Sequence, residues 1–473
     1  MFGTSGIRKV FKNYGGTEAH FTPEMALKLG LAIGSYINGG VVIMGKDIRT
    51  AALPIEHALI AGLISTGCKV KTVGIVTTPT LAMSCKILNG DCGIMITASH
   101  NTPEYIGVKL WNPSGLGFSA EQEETIEDIY NKEKFNKTDW RGIGSATPIY
   151  DLNEFHVNDI LEKIKIPRDN HLHLIVDPGH GSSCEILPII LNKYNIKYMT
   201  INAQMDGSFP GRLSEPNKEN LNQLSKFVKI SDVQDIGIAL DGDADRVIFI
   251  AEDGKLVDPI RLLALCAKDI LTENGGIPEK DRKIATPINS SSLLERLLEP
   301  LGYEVIRTEV GDIKVATALK EKGGILGGET SGTYIWPKYH YGPDSLLTIA
   351  YVLEMINRKG KPLRELLKEI PDFPFVRESF QLKEDIPFTK EVNEKIITEM
   401  NNLFQNLGKD HVKINKLDGV RFDYEEGWVM VRRSGTSPKL RISVESTIDI
   451  PHAKEIFQMT QERMDKLGLI KEY

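Results

Sequence analysis

Cysteine is scarce in this 473-residue chain. Five are present (Cys68, Cys85, Cys92, Cys184 and Cys266), an odd number with no Cys-x-x-Cys pair. Neither a disulfide framework nor a structural zinc site is therefore expected. No apolar run reaches the roughly 18 residues that a membrane-crossing helix needs, so no span and no membrane partner are expected. Met1-Phe2-Gly3-Thr4 lacks a basic stretch followed by an apolar one. A signal peptide is not expected, and a cytoplasmic location is. Positive charge is not in excess either: 57 Lys and Arg stand against 64 Asp and Glu, a net charge of −7. That balance argues against a general nucleic-acid binder and leaves anionic substrates to a locally basic cleft. What remains is the composition of a globular protein, 41% hydrophobic and 26% charged, long enough for roughly three or four domains.

Apolar runs alternate with helical patterns, which favours α/β units with largely parallel sheets. Three stretches share one order of events. The first has a strand at 41–44, a polar loop Gly45-Lys46-Asp47-Ile48-Arg49, a helix at 55–65 and strands at 68–73 and 93–96; the last empties into Thr97-Ala98-Ser99-His100-Asn101. The second has strands at 172–176 and 197–201 around a helix at 186–193. Its closing strand 236–240 runs into Asp241-Gly242-Asp243-Ala244-Asp245-Arg246. The third has strands at 283–286 and 303–308 around a helix at 291–298. Its closing strand 324–326 runs into Gly327-Gly328-Glu329-Thr330-Ser331-Gly332. Open α/β sheets place ligands beyond the carboxyl ends of their strands, so the three loops are expected to face one cleft. Beyond Asp372-Phe373-Pro374-Phe375 a helix at 390–407, strands at 419–424, 428–432 and 440–445, and a helix from about 453 read as a small α+β domain. The expected architecture is three topologically related α/β domains (1–148, 149–252 and 253–370) and a C-terminal α+β domain (371–473) around a central cleft.

The loops carry distinct chemistry. Ser99 follows a buried strand and can serve as a nucleophile or phosphate carrier. It is not in a Gly-x-Ser-x-Gly elbow, which lowers the hydrolase reading. His100 beside it points the other way on an extended backbone, so adjacency alone does not make it a base. Asp241, Asp243 and Asp245 alternate with small residues; such a cluster needs a hard cation such as Mg²⁺, or Arg246, to offset its repulsion. Arg246 stands where an EF-hand requires glycine. Glu329 and Ser331, on a glycine-permissive loop, can grip neighbouring sugar hydroxyls. Arg432-Arg433-Ser434-Gly435-Thr436-Ser437-Pro438 combines guanidinium, hydroxyls and open amides, the makings of a phosphate nest.

Together, from Phe2 to Glu445, these loops resemble the α-D-phosphohexomutases, a family of phosphoglucomutases, phosphomannomutases and phosphoglucosamine mutases. The resemblance implies that Ser99 is phosphorylated in the active enzyme and that Ser99, Asp241, Asp243 and Asp245 hold Mg²⁺. In the following Asn101-Thr102-Pro103-Glu104-Tyr105-Ile106-Gly107-Val108-Lys109, it implies that Lys109 assists as general acid/base, with His100 also catalytic. Arg246 matches the arginine beside the metal. Gly3-Thr4-Ser5-Gly6-Ile7-Arg8 resembles a family stretch that brings Arg8 to the cleft. Glu329 and Ser331 match the readers of the sugar hydroxyls, and Arg432, Ser434, Gly435 and Thr436 the loop that holds the unreactive phosphate. Asp206-Gly207-Ser208-Phe209-Pro210-Gly211-Arg212 with Glu215-Pro216 is a further family-like stretch.

Thr333 stands where many members have His, Asp312 where some have a specificity His, and Gly342-Pro343-Asp344-Ser345 where an Asp-Gly motif is common. The expected activity is an isomerase that interconverts hexose 6-phosphate and hexose 1-phosphate, glucose or mannose. It proceeds through phosphoserine and a hexose 1,6-bisphosphate, which also serves as activator. Phosphoglucosamine mutase is the alternative within the family; a metal-dependent sugar phosphatase with Asp241 as nucleophile and a sugar-phosphate sensor are rivals outside it. A monomer or homodimer with a sugar-phosphate substrate is expected. The segment 371–375 is a candidate hinge for closure by the last domain.

Overall fold

The computed structural model describes residues 1–3, 6–136, 138–231, 233, 235–273, 276–383, 389–434 and 438–471. Strands Cys92–Ile96 and Ile236–Leu240 are buried along their whole length. That is the burial expected of central strands with helices on both faces.

Three sheets repeat one module. In the first, Val41–Lys46 pairs in parallel with Lys69–Ile75 and with Cys92–Ile96, which turns back antiparallel through Tyr105–Trp111. In the second, His173–Asp177 pairs in parallel with Lys197–Thr200 and Ile236–Leu240, which turns back through Val247–Ile250. In the third, Lys283–Pro287 pairs with Glu304–Thr308 and Leu326–Gly328, which turns back through Tyr334–Ile335. The shared topology expected from the sequence is therefore present three times. The first sheet is extended to seven strands by Ile7–Phe11, His20–Phe21 and Ser145–Pro148.

One boundary is corrected. The third closing strand is Leu326–Gly328, not 324–326, so Gly327 and Gly328 lie in the sheet. A Cβ on Gly327 would come within 2.7 Å of Leu319 and Val315. The glycine serves close packing of helix Asp312–Lys322 on the sheet, not a turn.

The last sheet is antiparallel, in the order Phe375–Gln381, Lys439–Ser446, Gly427–Arg433, Val420–Tyr424, Lys413–Asn415. One face carries Val429, Val431, Leu440, Ile442 and Val444 into a core with helices Lys390–Asn406 and Ile450–Lys466. Cross-strand register puts Arg432 opposite Arg441, Arg377 opposite Ser443 and Arg421 opposite Met430. Because side chains alternate, these four arginines share the other face. Arg421 is committed to the carbonyls of Ile288 and Ser290, at 2.5 and 2.8 Å, and so ties this sheet to the third. Glu445 makes a second tie, accepting from Ser292 N, Ser292 Oγ and Trp428 Nε1 at 2.9, 2.6 and 2.8 Å. The candidate hinge ends at Pro374, since Phe375 already belongs to the edge strand.

All five cysteines are free. Among the described residues no helix is long and apolar enough to cross a membrane.

Candidate active site

Each module delivers one loop at the carboxyl end of its third strand, between that strand and the antiparallel return. The serine loop is held from beneath. Thr97 Oγ1 donates to Asp47 Oδ2 (2.6 Å) and accepts from Ser99 N (2.8 Å). The Ser99 carbonyl accepts from Arg49 Nη2 at 2.9 Å and Ser214 Oγ at 2.8 Å. These bonds hold Ser99 at φ +48°, a left-handed conformation that costs a serine about 1 kcal/mol or more. Arg49 also donates to the carbonyls of Asn101, Thr102 and Tyr105, at 2.6, 2.7 and 3.0 Å. Sequence reading missed this anchor, because nothing local to 45–49 announces a partner fifty residues away. A lysine has no planar fork to serve four carbonyls. Arg49→Lys is expected to lose about 2–4 kcal/mol of stability in urea denaturation, with a fall in kcat. A variant within ~0.5 kcal/mol of the parent contradicts this anchoring role.

The serine and acidic loops touch. A Cβ on Gly242 would sit 2.8 Å from Ser214 Oγ and 3.0 Å from the Ser99 carbonyl, so the approach requires glycine. Ser99 Oγ donates to Asp241 Oδ2 at 2.9 Å and lies 3.3 Å from His100 Nδ1. Oxygens of Asp241, Asp243 and Asp245 lie within 4.8 Å of one another. Lys109 Nζ bridges Asp243 Oδ2 and Asp245 Oδ2 at 2.8 and 2.5 Å. The other oxygens, Asp243 Oδ1 and Asp245 Oδ1, are buried with no hydrogen-bond partner. Three buried carboxylates face the Lys109 ammonium and the Arg246 guanidinium, whose Nε is 3.9 Å from Asp245 Oδ1, and the two oxygens without a hydrogen bond fit a divalent cation such as Mg²⁺.

Electrostatics separates the roles. Burial, with Asp245 and Asp243 as neighbours, pushes Asp241 well above the usual carboxylate range. Burial acts the same way on Asp243, but Lys109 and the Thr78 hydroxyl outweigh it and hold that carboxylate below its ordinary value. Burial works against the Lys109 ammonium; Asp243 and Asp245 overcome it and raise the pKa. Lys109 is therefore a cation. His100 is pushed down to about 2 by burial and by Arg246, Arg8 and Lys109 around it, so its ring is neutral. Arg8 Nη1 stands 3.5 Å from His100 Nδ1.

The remaining residues meet at a cavity of about 640 Å³. Arg8, His100, Asp245, Arg246, Asp312, Glu329, Ser331, Arg432 and Ser434 line it, so all four sheets contribute. Ser99 is fully buried just behind His100. Glu329 Oε1 accepts from Gly311 N at 3.0 Å, and burial with Asp312 nearby pushes Glu329 up to about 7. Arg432 Nε donates to Asp418 Oδ1 at 2.8 Å. Gly435 and Thr436, expected in the phosphate loop, and Thr4 and Ser5 lie outside the described residues. Arg377 and Arg441 also line the cavity, and sequence reading missed both. Arg212, from the further family-like stretch, supports the acidic loop from below through Asp177 Oδ2 (2.9 Å) and the Leu240 carbonyl (2.6 Å). A larger cavity, about 720 Å³, opens between helices Ala52–Ser65 and Leu152–Lys163 and holds none of the predicted residues.

Sequence profiles for the three alpha/beta/alpha domains of phosphoglucomutase/phosphomannomutase match residues 1–137, 154–254 and 258–373, and that for the C-terminal domain matches 389–463. A protein of Methanopyrus kandleri named "Probable phosphoglucosamine mutase" is 39% identical over 94% of this chain and 93% of its own. One of the same name from Methanococcoides burtonii is 40% identical over 94% and 95%. The crystal structure of a phosphoglucomutase/phosphomannomutase family protein from Burkholderia thailandensis superimposes with a TM-score of 0.83 at 27% identity, covering 99% of this chain and 98% of that one. Four domain profiles in order and full-length relatives near 40% identity agree with the repeated modules and their converging loops: the chain belongs to the phosphoglucomutase/phosphomannomutase family of phosphohexomutases, isomerases that work by phosphoryl transfer.

Proposed function

We propose that the chain interconverts glucosamine 6-phosphate and glucosamine 1-phosphate, using Ser99 as the phosphoryl carrier and a hexosamine 1,6-bisphosphate as intermediate. The observation that carries the mutase reading is the shared cavity. Ser99 sits against the acidic triad behind one wall, Arg432 and Ser434 line another, and Glu329 and Ser331 line it as well. The names of the relatives support glucosamine over the glucose or mannose expected from sequence. The reading keeps four units, 1–148, 149–252, 253–370 and 371–473, each giving one loop.

In the forward half-reaction the phosphoryl group leaves Ser99 Oγ for the free sugar hydroxyl. The P–O bond to Ser99 breaks as the new one forms; neutral His100, on the cavity wall and 3.3 Å from Ser99 Oγ, takes the proton of the sugar hydroxyl and returns one to the serine oxygen. Lys109, an ammonium, donates and offsets negative charge on the transferring group. Arg8 and Arg246 add cationic stabilisation from the cavity wall. In the return half, the Ser99 hydroxyl attacks the other phosphate of the turned bisphosphate, and neutral His100, 3.3 Å from Ser99 Oγ, is the acceptor within reach of its proton. Ser99, Asp241, Asp243 and Asp245 would hold Mg²⁺, which supplies Lewis-acid stabilisation of phosphoryl charge. The far phosphate rests on the basic face of the last sheet through Arg432 and Ser434, and Glu329 and Ser331 read the ring hydroxyls common to both orientations.

The test is a panel of glucosamine, glucose and mannose phosphates assayed with Mg²⁺ and bisphosphate. Glucosamine phosphate is expected to have the highest kcat/KM, by about tenfold or more. A higher value for glucose or mannose phosphate contradicts the substrate assignment.

Glu329 gives the pH dependence. Its carboxylate is the form that accepts from sugar hydroxyls, and its raised pKa means that it gains a proton as pH falls through about 7. The kcat/KM profile, which reports groups of the free enzyme, is expected to decline on the acid side with a midpoint near that value. Glu329→Gln is expected to remove that limb while lowering kcat/KM overall; an unchanged acid limb in the variant contradicts the assignment.

A further inference from the structure

Helix Thr78–Ile87 begins against the acidic loop of the second module. Thr77 caps it through Thr80 N at 3.2 Å, and a proline lies in its first turn. Its first residue grips Asp243 at two points. Thr78 N donates to the Asp243 carbonyl at 2.8 Å, and Thr78 Oγ1 donates to Asp243 Oδ2 at 2.6 Å.

Behind that grip runs a chain of buried polar groups. Thr80 Oγ1 lies 2.7 Å from Thr77 Oγ1 and 2.9 Å from His156 Nδ1. His156 Nε2 lies 3.2 Å from Asp344 Oδ2, which also meets His340 Nε2 at 2.9 Å. Asp344 Oδ1 caps helix Ser345–Lys359 through Leu347 N at 2.9 Å. Ser345 Oγ then donates to the Ala244 carbonyl at 2.5 Å. The network is joined to the acidic loop through backbone neighbours at both ends, Thr77 beside Thr78 on Asp243 and Asp344 beside Ser345 on Ala244, which is held at φ +58°. Thr77, Thr78, Thr80, His156 and Ser345 are fully buried. Buried polar groups are costly unless bonded, and a satisfied network fixes one arrangement of its members. This one fixes the first turn of the helix that presents Thr78 to Asp243. The other oxygen, Asp243 Oδ1, is buried and has no hydrogen-bond partner.

We propose that Thr78, locked by the Thr80–His156–Asp344 relay, is a positioning residue that aims the Asp243 carboxylate at the divalent cation. The inference rests on the reading of the acidic triad as the metal site. Groups that orient a ligand from behind change metal affinity by about 10–100-fold when lost.

The experiment titrates Mn²⁺ onto the full-length protein, followed by electron paramagnetic resonance of the free ion, without substrate. Thr78→Val, which keeps shape and removes the hydroxyl donor, is expected to weaken Mn²⁺ binding about 10–100-fold. Thr78→Ser is expected to restore most of it. At saturating metal, the KM for sugar phosphate in Thr78→Val is expected to stay at the parent value. His156→Gln is expected to weaken Mn²⁺ binding in the same direction, and it carries the test if Thr78→Val does not fold. Folded variants with parental Mn²⁺ affinity, including any whose only change is a lower Tm, overturn the positioning role. A parent protein that binds no Mn²⁺ overturns the metal site itself, which is a distinct result.

Discussion

Ser99→Ala is expected to lower kcat/KM by about 10⁴-fold or more, since removing a covalent carrier leaves only binding and electrostatic contributions. The loss is expected without unfolding. The Ser99 side chain contacts Asp241 and His100, whereas the loop is held by bonds to backbone groups from Arg49, Ser214 and Thr97. Alanine keeps those bonds, so the Tm should stay close to that of the parent. The substitution also separates the mutase from a phosphatase that uses Asp241 as nucleophile, because such an enzyme does not need a serine. A variant that retains more than about a tenth of parental turnover with saturating bisphosphate contradicts the carrier role.

Asp243→Asn is expected to follow closely, with kcat/KM down about 10²–10³-fold, the several kcal/mol that a bound cation contributes to phosphoryl transfer. Asp243 is held from one oxygen and leaves the other open. Its Oδ2 serves both Lys109 and Thr78, and its Oδ1 has no hydrogen-bond partner. The amide removes a charge from a site where Lys109 and Asp245 remain buried, so Lys109 loses part of the support that raises its pKa. The checks are kcat/KM against Mg²⁺ concentration and direct Mn²⁺ binding. Parental turnover at saturating Mg²⁺ contradicts the assignment of Asp243 as a ligand.

The three modules were legible because each closing strand is an apolar run that ends in chemically marked residues: Ser99, Asp241 to Asp245, and Glu329. Composition and motif sit next to one another in the chain, so a linear reading finds them. What supports the motifs was not legible. Arg49 and Ser99 are fifty residues apart, Thr78 and Asp243 belong to different modules, and Asp344 meets His156 across another boundary. No local pattern marks such approaches, which exist only once the sheets have packed. Phe375–Gln381 escaped notice for another reason. Phe380 is its one fully buried residue, so apolar alternation is absent, and its pairing with Lys439–Ser446 makes it a strand. Arg377 and Arg441 became visible as cavity residues only through that pairing. The third closing strand was misplaced by two residues because glycines at 327 and 328 read as a loop; pairing of Gly327 with Ala285 and Ile335 puts it in the sheet, and close packing of helix Asp312–Lys322 is why glycine stands there.

The most direct measurement follows phosphate on the protein itself. The parent, loaded with hexosamine 1,6-bisphosphate, is digested and its phosphopeptides are mapped by mass spectrometry before and after exposure to sugar monophosphate. One phosphate is expected on Ser99, and it should depart as new bisphosphate appears. A phosphate carried on Asp241, or none on any residue during turnover, contradicts the account.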